Sequence, residues 1–168
     1  MRCILLVLDL KDIFAGGKDI AFDYGLDLSG FEASPGEFPL RKPVRVKGTA
    51  VNRAGVVTLD AHATFTYFTR CDRCLKDIEE PYDVRFSNIL AVSANSEEDD
   101  DIIVCAEQSL DLDDLALTNI ILNLSMKHLC RPDCKGLCPV CGKDLNEGDC
   151  GCDRGGDASA FSQLKDLI

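Results

Sequence analysis

Apolar and polar positions alternate along the middle of the chain and change to a helical spacing in its last third. From Val56 to Tyr67 the residues Val57, Leu59, Ala61, Ala63, Phe65 and Tyr67 recur at every second position, the period of a half-buried strand. Val44–Val51 reads as the preceding strand, and Asn52-Arg53-Ala54-Gly55 supplies a turn in which Gly55 can take positive φ. Tyr82, Val84 and Phe86 share one phase of a further strand, Tyr82 to Ile89, with Pro81 at its start, where a missing N–H costs little. Cys3–Leu10 reads as a buried strand and Ile102–Cys105 as a short one. Residues 11–40 are punctuated by Gly16-Gly17, Gly25, Gly30 and Ser34-Pro35-Gly36, which predicts loops with brief strands.

The period then lengthens. Asp111 is a good N-cap, with Asp114 three residues on in the position of a capping box. Leu117, Ile120, Ile121 and Leu124 follow at i, i+3, i+4 and i+7, with Leu112 and Leu115 before them. They predict an amphipathic helix ending between Ser125 and Leu129. Phe161, Leu164 and Leu167 predict a second, short helix over Ala158–Ile168. The pattern is that of an α+β fold. Residues 1–125 form an antiparallel sheet, twisted or barrel-like, with a packing helix; residues 126–168 form a cysteine-rich segment with a terminal helix.

Composition supports a packed core, with 46% of the 168 residues hydrophobic. No apolar run reaches the roughly 18 residues needed to cross a bilayer, so no membrane partner is expected. The opening MRCILLVLDL is interrupted by Asp9 and Lys11 and has no small-residue cleavage site after it. It reads as a strand rather than a signal peptide, and the expected location is the cytoplasm.

That compartment gives the cysteines their meaning, because reducing conditions favour metal ligands or catalytic thiols over disulfides. Six of the ten cysteines fall between residues 130 and 152, namely Cys130, Cys134, Cys138, Cys141, Cys150 and Cys152. Cys138-Pro139-Val140-Cys141-Gly142 has the form of a zinc knuckle, and few aliphatic residues elsewhere in the segment offer folding energy, which a structural Zn2+ would supply. Upstream, Cys71-Asp72-Arg73-Cys74 joins two strands rather than opening a helix, which favours metal over redox chemistry. These eight thiols suffice for two four-thiolate sites. One arrangement joins Cys71 and Cys74 to two tail cysteines; a one-zinc alternative uses only four tail residues, Cys138 and Cys141 among them. Spacing does not choose between them. Cys3 and Cys105 read as core residues.

Net charge is −11, but it is unevenly distributed. Between residues 41 and 76, Arg41, Lys42, Arg45, Lys47, Arg53, Arg70, Arg73 and Lys76 stand against Asp60 and Asp72, a local excess of six positive charges. A chain so polarised can present a basic face to nucleic acid while remaining acidic overall. Only His62 and His128 are available for an open catalytic metal site, and there is no Ser-His-Asp pattern, nucleotide-binding glycine loop or H-E-x-x-H. No enzymatic activity is expected.

Three stretches together resemble the YceD-like family, the bacterial large ribosomal RNA subunit accumulation proteins. They are Cys71-Asp72-Arg73-Cys74-Leu75 with Pro81 downstream, the helix within Leu112–Leu129, and Asp133-Cys134-Lys135-Gly136-Leu137-Cys138-Pro139-Val140-Cys141-Gly142. Leu124-Ser125-Met126 departs from the family's Leu-Ser-Pro, which predicts a helix one turn longer. The resemblance implies a cytosolic, metal-binding, non-enzymatic factor that supports accumulation of large-subunit ribosomal RNA. Two partners fit. Ribosomal RNA or a large-subunit precursor would meet Arg41, Lys42, Arg45, Lys47 and Arg53, extended by Arg70 and Arg73. Alternatively, an acidic surface, particularly Glu97, Glu98, Asp99, Asp100 and Asp101 together with Asp111–Asp114, would capture a basic ribosomal protein or assembly factor.

Overall fold

The computed structural model describes residues 6–93 and 102–153. Cys3, the acidic run Glu97–Asp101 and the helix expected over Ala158–Ile168 lie outside the described residues. The chain divides into two compact units: described residues up to Thr69 with Glu79–Met126, and Arg70–Ile78 with the described residues from Lys127 onward. The segment Arg70–Ile78, which the strand pattern leaves in the sheet domain, therefore clusters with the cysteine-rich segment.

In the first unit, β1 (Val7–Asp9), α1 (Lys11–Phe14), β2 (Ile20–Leu26), β3 (Val44–Arg53) and β4 (Val56–Arg70) are followed by β5 (Asp77–Ala91), β6 (Ile102–Val104), β7 (Ser109–Asp111) and α2 (Leu112–Asn123). β4 and β5 each run on into the second unit at the ends that face their connection. A five-stranded sheet has the order β2-β3-β4-β5-β6, and β1 pairs with β7 in a separate ribbon. β2, β3 and β4 pair antiparallel, and the six-residue connection from β4 to β5 is too short for anything else. β6 lies parallel to β5, with Ile89 opposite Ile102. The sheet is thus mixed rather than antiparallel throughout, and no pairing joins β2 to β6 among the described residues.

The β3–β4 turn is tighter than Asn52–Gly55. Arg53 pairs with Val56, leaving Ala54 (φ 54°) and Gly55 (φ 89°) as a two-residue loop whose positive φ values match the twist of a hairpin. Asn52 closes it by accepting from the Gly55 N–H at 3.0 Å while its amide donates to the Ile13 carbonyl at 2.6 Å. Inward residues Val57, Leu59, Ala61, Ala63, Phe65 and Tyr67 of β4 are buried, as their period requires. Phe22 pairs with Gly48 across β2 and β3, and a Cβ at position 48 would stand 2.6 Å from the Phe22 ring, so glycine is what lets that ring lie flat against the strand. Pro81 sits inside β5 rather than at its start. β6 pairs with β5 only from Ile89 onward, so Pro81 falls where the strand has a neighbour on one side only.

α2 departs most from its expected form. Asp111 caps it as predicted, accepting from the Asp114 N–H at 3.0 Å. It ends at Asn123, so the missing proline does not lengthen it. The buried face is Leu112, Asp113, Ala116 and Ile120, whereas Ile121 is exposed and Leu117 and Leu124 are only partly covered. Asp113 is 7% exposed. Its carboxylate accepts from Tyr24 Oη at 2.8 Å and from the Leu6 N–H at 3.1 Å, joining α2 to β2 and to the residue before β1. Burial, then the hydrogen bond to Asp113, pushes the Tyr24 hydroxyl well above its ordinary range, so it stays a donor.

Asp113→Ala removes a charged acceptor from two donors and is expected to cost about 3 kcal/mol, against about 1 kcal/mol for Tyr24→Phe. Urea unfolding of both variants checks this; losses below about 0.5 kcal/mol in both would show that the network contributes nothing.

Candidate metal centre

The eight cysteines of the two motifs gather into two groups. Cys71, Cys74, Cys130 and Cys134 form one, and Cys138, Cys141, Cys150 and Cys152 the other, with the sulfurs of each group within 4.8 Å of one another. Cys71 Sγ is 3.8 Å from Cys134 Sγ, and Cys74 Sγ is 3.6 Å from Cys130 Sγ. A disulfide would need about 2.05 Å. A tetrahedral ion with ligand distances of about 2.3 Å separates its sulfurs by about 3.8 Å, so the first group has the dimensions of a four-thiolate site. Each group takes consecutive cysteines in chain order. Where spacing leaves the partition open, the sulfurs stand in these two groups.

Both knuckles are built by the same hydrogen bonds. The Cys71 N–H donates to the Lys76 carbonyl and the Leu75 N–H to the Cys71 carbonyl, at 2.8 and 2.9 Å. The Cys138 N–H donates to the Lys143 carbonyl and the Gly142 N–H to the Cys138 carbonyl, both at 2.8 Å. The residue after the second cysteine turns to positive φ in each, 58° at Leu75 and 72° at Gly142.

The surroundings hold the first group closely. Cys71 and Cys134 are essentially inaccessible, and Leu129 and Leu137 pack beside them. Asp72 grips His128 twice, its N–H donating to the His128 carbonyl at 2.8 Å and its carboxylate accepting the His128 N–H at 2.7 Å. Arg73 donates through Nη1 to the Cys134 carbonyl at 2.7 Å, and its own carbonyl accepts from the Leu137 N–H at 3.0 Å. Gly136, at φ 76°, allows this approach, since a Cβ there would lie 2.9 Å from the Arg73 carbonyl oxygen. Lys76 Nζ pairs with Asp144 at 2.8 Å and Glu147 at 3.3 Å. The Lys76 ammonium in turn holds the Asp144 carboxyl down to about 2.

The thiols are electrostatically divided. Burial raises Cys71, but N–H groups of Cys130, Cys74 and Arg73 outweigh it and bring the thiol down to about 6. Burial and three neighbouring sulfurs drive Cys130 up to about 12, and Cys141 and Cys150 do the same to Cys152. Protons are therefore shared within each group, and a divalent cation is the natural replacement for them. All-sulfur donor sets of this size and shape suit a closed structural ion rather than a catalytic one with an open position. Cys105 is buried in the sheet core, apart from both groups.

The predicted basic residues do not form one face. Arg45 makes a two-pronged pair with Asp23, at 2.9 and 2.8 Å. Lys47 lies opposite His62, and Thr49 opposite Asp60. On the solvent-facing phase of the sheet Arg45, Lys47 and Arg85 meet Asp23, Asp60 and Asp83, so that face is close to neutral. Arg53 ends β3, Arg70 pairs with Asp77 at 3.8 Å, and Arg73 belongs to the first cysteine group. Arg41 and Lys42 come together over the Phe68 ring, 5.2 and 5.1 Å from its centre. Within Asp111–Asp114, Asp113 is buried on Tyr24 and Leu6 rather than offered to a partner. Sequence reasoning missed the roles of Asp144, Asn146 and the aromatic partner Phe68, since the Asp144-Leu145-Asn146 stretch carries a turn signal but nothing that marks it as support for sulfur.

Residues 59–168 match the family described as large ribosomal RNA subunit accumulation protein YceD. The chain belongs to the YceD family. Uncharacterized proteins of Mycobacterium tuberculosis and Mycobacterium bovis are 34% identical over 79 residues, covering 45% of this chain and 38% of their own length. The uncharacterized protein YlbN of Bacillus subtilis is 26% identical over 129 residues, covering 76% of this chain and 75% of its own. No solved structure matches the chain. YceD proteins are a non-enzymatic family of ribosome biogenesis, and no helix among the described residues is long and apolar enough to cross a membrane.

Native mass spectrometry of protein purified without chelator is expected to find two metal ions per chain. Cys71→Ser and Cys138→Ser should each remove one, and an unchanged count in either variant would refute the partition.

Proposed function

We propose that this YceD protein holds one Zn2+ in each cysteine group and acts in the cytoplasm on large-subunit ribosomal RNA or its precursor particle. Among the seven basic residues the sequence points to, the contact is assigned first to Arg41 and Lys42. The observation that carries this is their placement over Phe68, with Phe38 (45% exposed) close by in the chain. Single-stranded nucleic acid asks for cations to meet phosphate and for an aromatic surface on which a base can stack. Lys42 also lies 3.8 Å from Glu79, an exposed pair that phosphate can displace at little cost. Lys47, Arg53 and Arg70, whose 3.8 Å pair with Asp77 is as exposed as that of Lys42, add general attraction; Arg45 and Arg73 are committed to protein groups.

A second reading has its own observation. Ile121, Leu122 and Met126 are 45%, 77% and 103% exposed at the end of α2, and the chain is strongly acidic overall. Such a surface suits an adaptor that receives a basic ribosomal protein or an assembly factor, with Glu97–Asp101 contributing charge.

Sedimentation of tagged protein through sucrose gradients at low and moderate salt tests the first reading. Wild type is expected to co-migrate with large-subunit precursors in a salt-sensitive way, and Arg41→Glu/Lys42→Glu to fall at least tenfold in bound fraction while Phe68→Ala falls less. Unchanged co-migration of the charge-reversed protein, or binding of a purified basic partner with no affinity for naked RNA, would replace it with the adaptor.

A further inference from the structure

Asn146 lies between Cys141 and Cys150, in the loop that the second cysteine group closes, yet its side chain serves the first group. Its Oδ1 accepts from the Lys135 N–H at 2.8 Å and from Arg131 Nη2 at 2.7 Å. Two donors on that oxygen fix which way the amide points. Nδ2 therefore faces Cys134 Sγ at 3.4 Å and also donates to Asp144 Oδ1 at 2.6 Å. The main chain repeats the arrangement, with the Asn146 N–H donating to Asp144 Oδ1 at 2.8 Å.

Residues 136–145 form a small hairpin. Leu137 bridges Asp144 in antiparallel fashion and the Leu145 N–H donates to the Gly136 carbonyl at 2.9 Å. The second knuckle, Cys138 to Gly142, is its closed end, and Asn146 leaves its open end. Lys76, gripping Asp144 and Glu147, ties the returning strand to the first knuckle through side chains. An isolated two-stranded hairpin is marginal in water, so the order of this one depends on what its cysteines hold.

An N–H aimed at a metal-bound thiolate withdraws charge from sulfur and fixes its direction, and such outer partners are worth about 10- to 100-fold in metal affinity. We propose that the two centres are coupled through Asn146: an ion held by Cys138, Cys141, Cys150 and Cys152 steadies the hairpin, sets Asn146 on Cys134 and strengthens the first centre's hold on its own ion. The proposal rests on both groups being metal centres. Linkage makes the effect reciprocal, so an ion in the first centre also strengthens the second.

The test follows zinc loss to excess chelator by native mass spectrometry, on the full chain loaded with Zn2+. Wild type and Asn146→Leu should both start with two ions. In Asn146→Leu one ion is expected to leave about tenfold faster than either does from wild type. Cys141→Ser/Cys150→Ser should start with one ion that leaves at a similarly raised rate. With 113Cd2+ in place of zinc, Asn146→Leu should shift the resonance that Cys71→Ser abolishes, a change that mere loosening of a surface loop would not confine to one centre. Wild-type rates for both ions of Asn146→Leu overturn the coupling while leaving the two-metal reading intact. Fewer than two ions on wild type overturn that reading and the coupling with it. Should the double cysteine variant bind nothing, Asn146→Leu alone decides.

Discussion

Four sulfurs within 4.8 Å of one another are the constraint on which the second unit depends. Neutral thiols gain little from such crowding, and ionised ones repel. The division of the first group, with Cys71 held low by N–H donors and Cys130 driven high by its neighbours, is how the chain shares the conflict. A doubly charged cation at the centre would resolve it, leaving a net local charge of about −2 for N–H groups and side-chain cations to offset. The described residues of the unit offer little else. Leu129 and Leu137 are the aliphatic residues packed on the first group, so its other contacts are mostly polar links that set where the sulfurs stand. Asp72 on His128, Arg73 on Cys134 and the close passage of Gly136 all act in that way.

The two knuckles show which residue types this geometry demands. Both close through the same pair of main-chain hydrogen bonds, and both need a left-handed residue immediately after the second cysteine. At position 142 glycine takes that conformation without strain. At position 75 a leucine takes it, with its side chain 60% exposed, which costs roughly 1–2 kcal/mol in backbone energy with no burial in return. A four-thiolate ion releases enough energy to absorb that. The C-x-x-C-G signature of a knuckle is thus a preference rather than a requirement; the upstream pair is ambiguous when read by itself because C-x-x-C also serves redox chemistry.

The strands and the ligand residues were legible because both depend on local spacing. Alternation along Val57–Tyr67 reports burial directly, and two cysteines separated by two residues are readily turned to the same side, which is what the clustering of their sulfurs shows. Charge was less legible. A count along residues 41–76 finds an excess of positive charge, but a sheet face collects alternate residues from several strands. β2 brings Asp23 beside Arg45, and Lys47 and Asp60 share the same solvent-facing phase, so the excess shrinks on that face. What survives is the pair at Arg41 and Lys42, and it is defined by Phe68, an aromatic residue 26 positions later that no charge count could have included.

The face of α2 was illegible for a different reason. Apolar residues surround the helix at Leu112, Leu115, Leu117, Ile120, Ile121, Leu122 and Leu124, so periodicity admits more than one inward face. Hydrophobic burial alone would rank these faces almost equally, since turning Ile121 and Leu122 inward would cover as much apolar area as covering Ala116 and Ile120. The choice is made by the polar group. Asp113 is the one charged residue in the buried set, and a carboxylate is excluded from an interior unless donors meet it there. Tyr24 from β2 and the Leu6 main chain supply those donors at one orientation of the helix. Two large aliphatic side chains are left in solvent as the consequence, and a hydrogen-bonding requirement outranks their burial in setting how the helix lies.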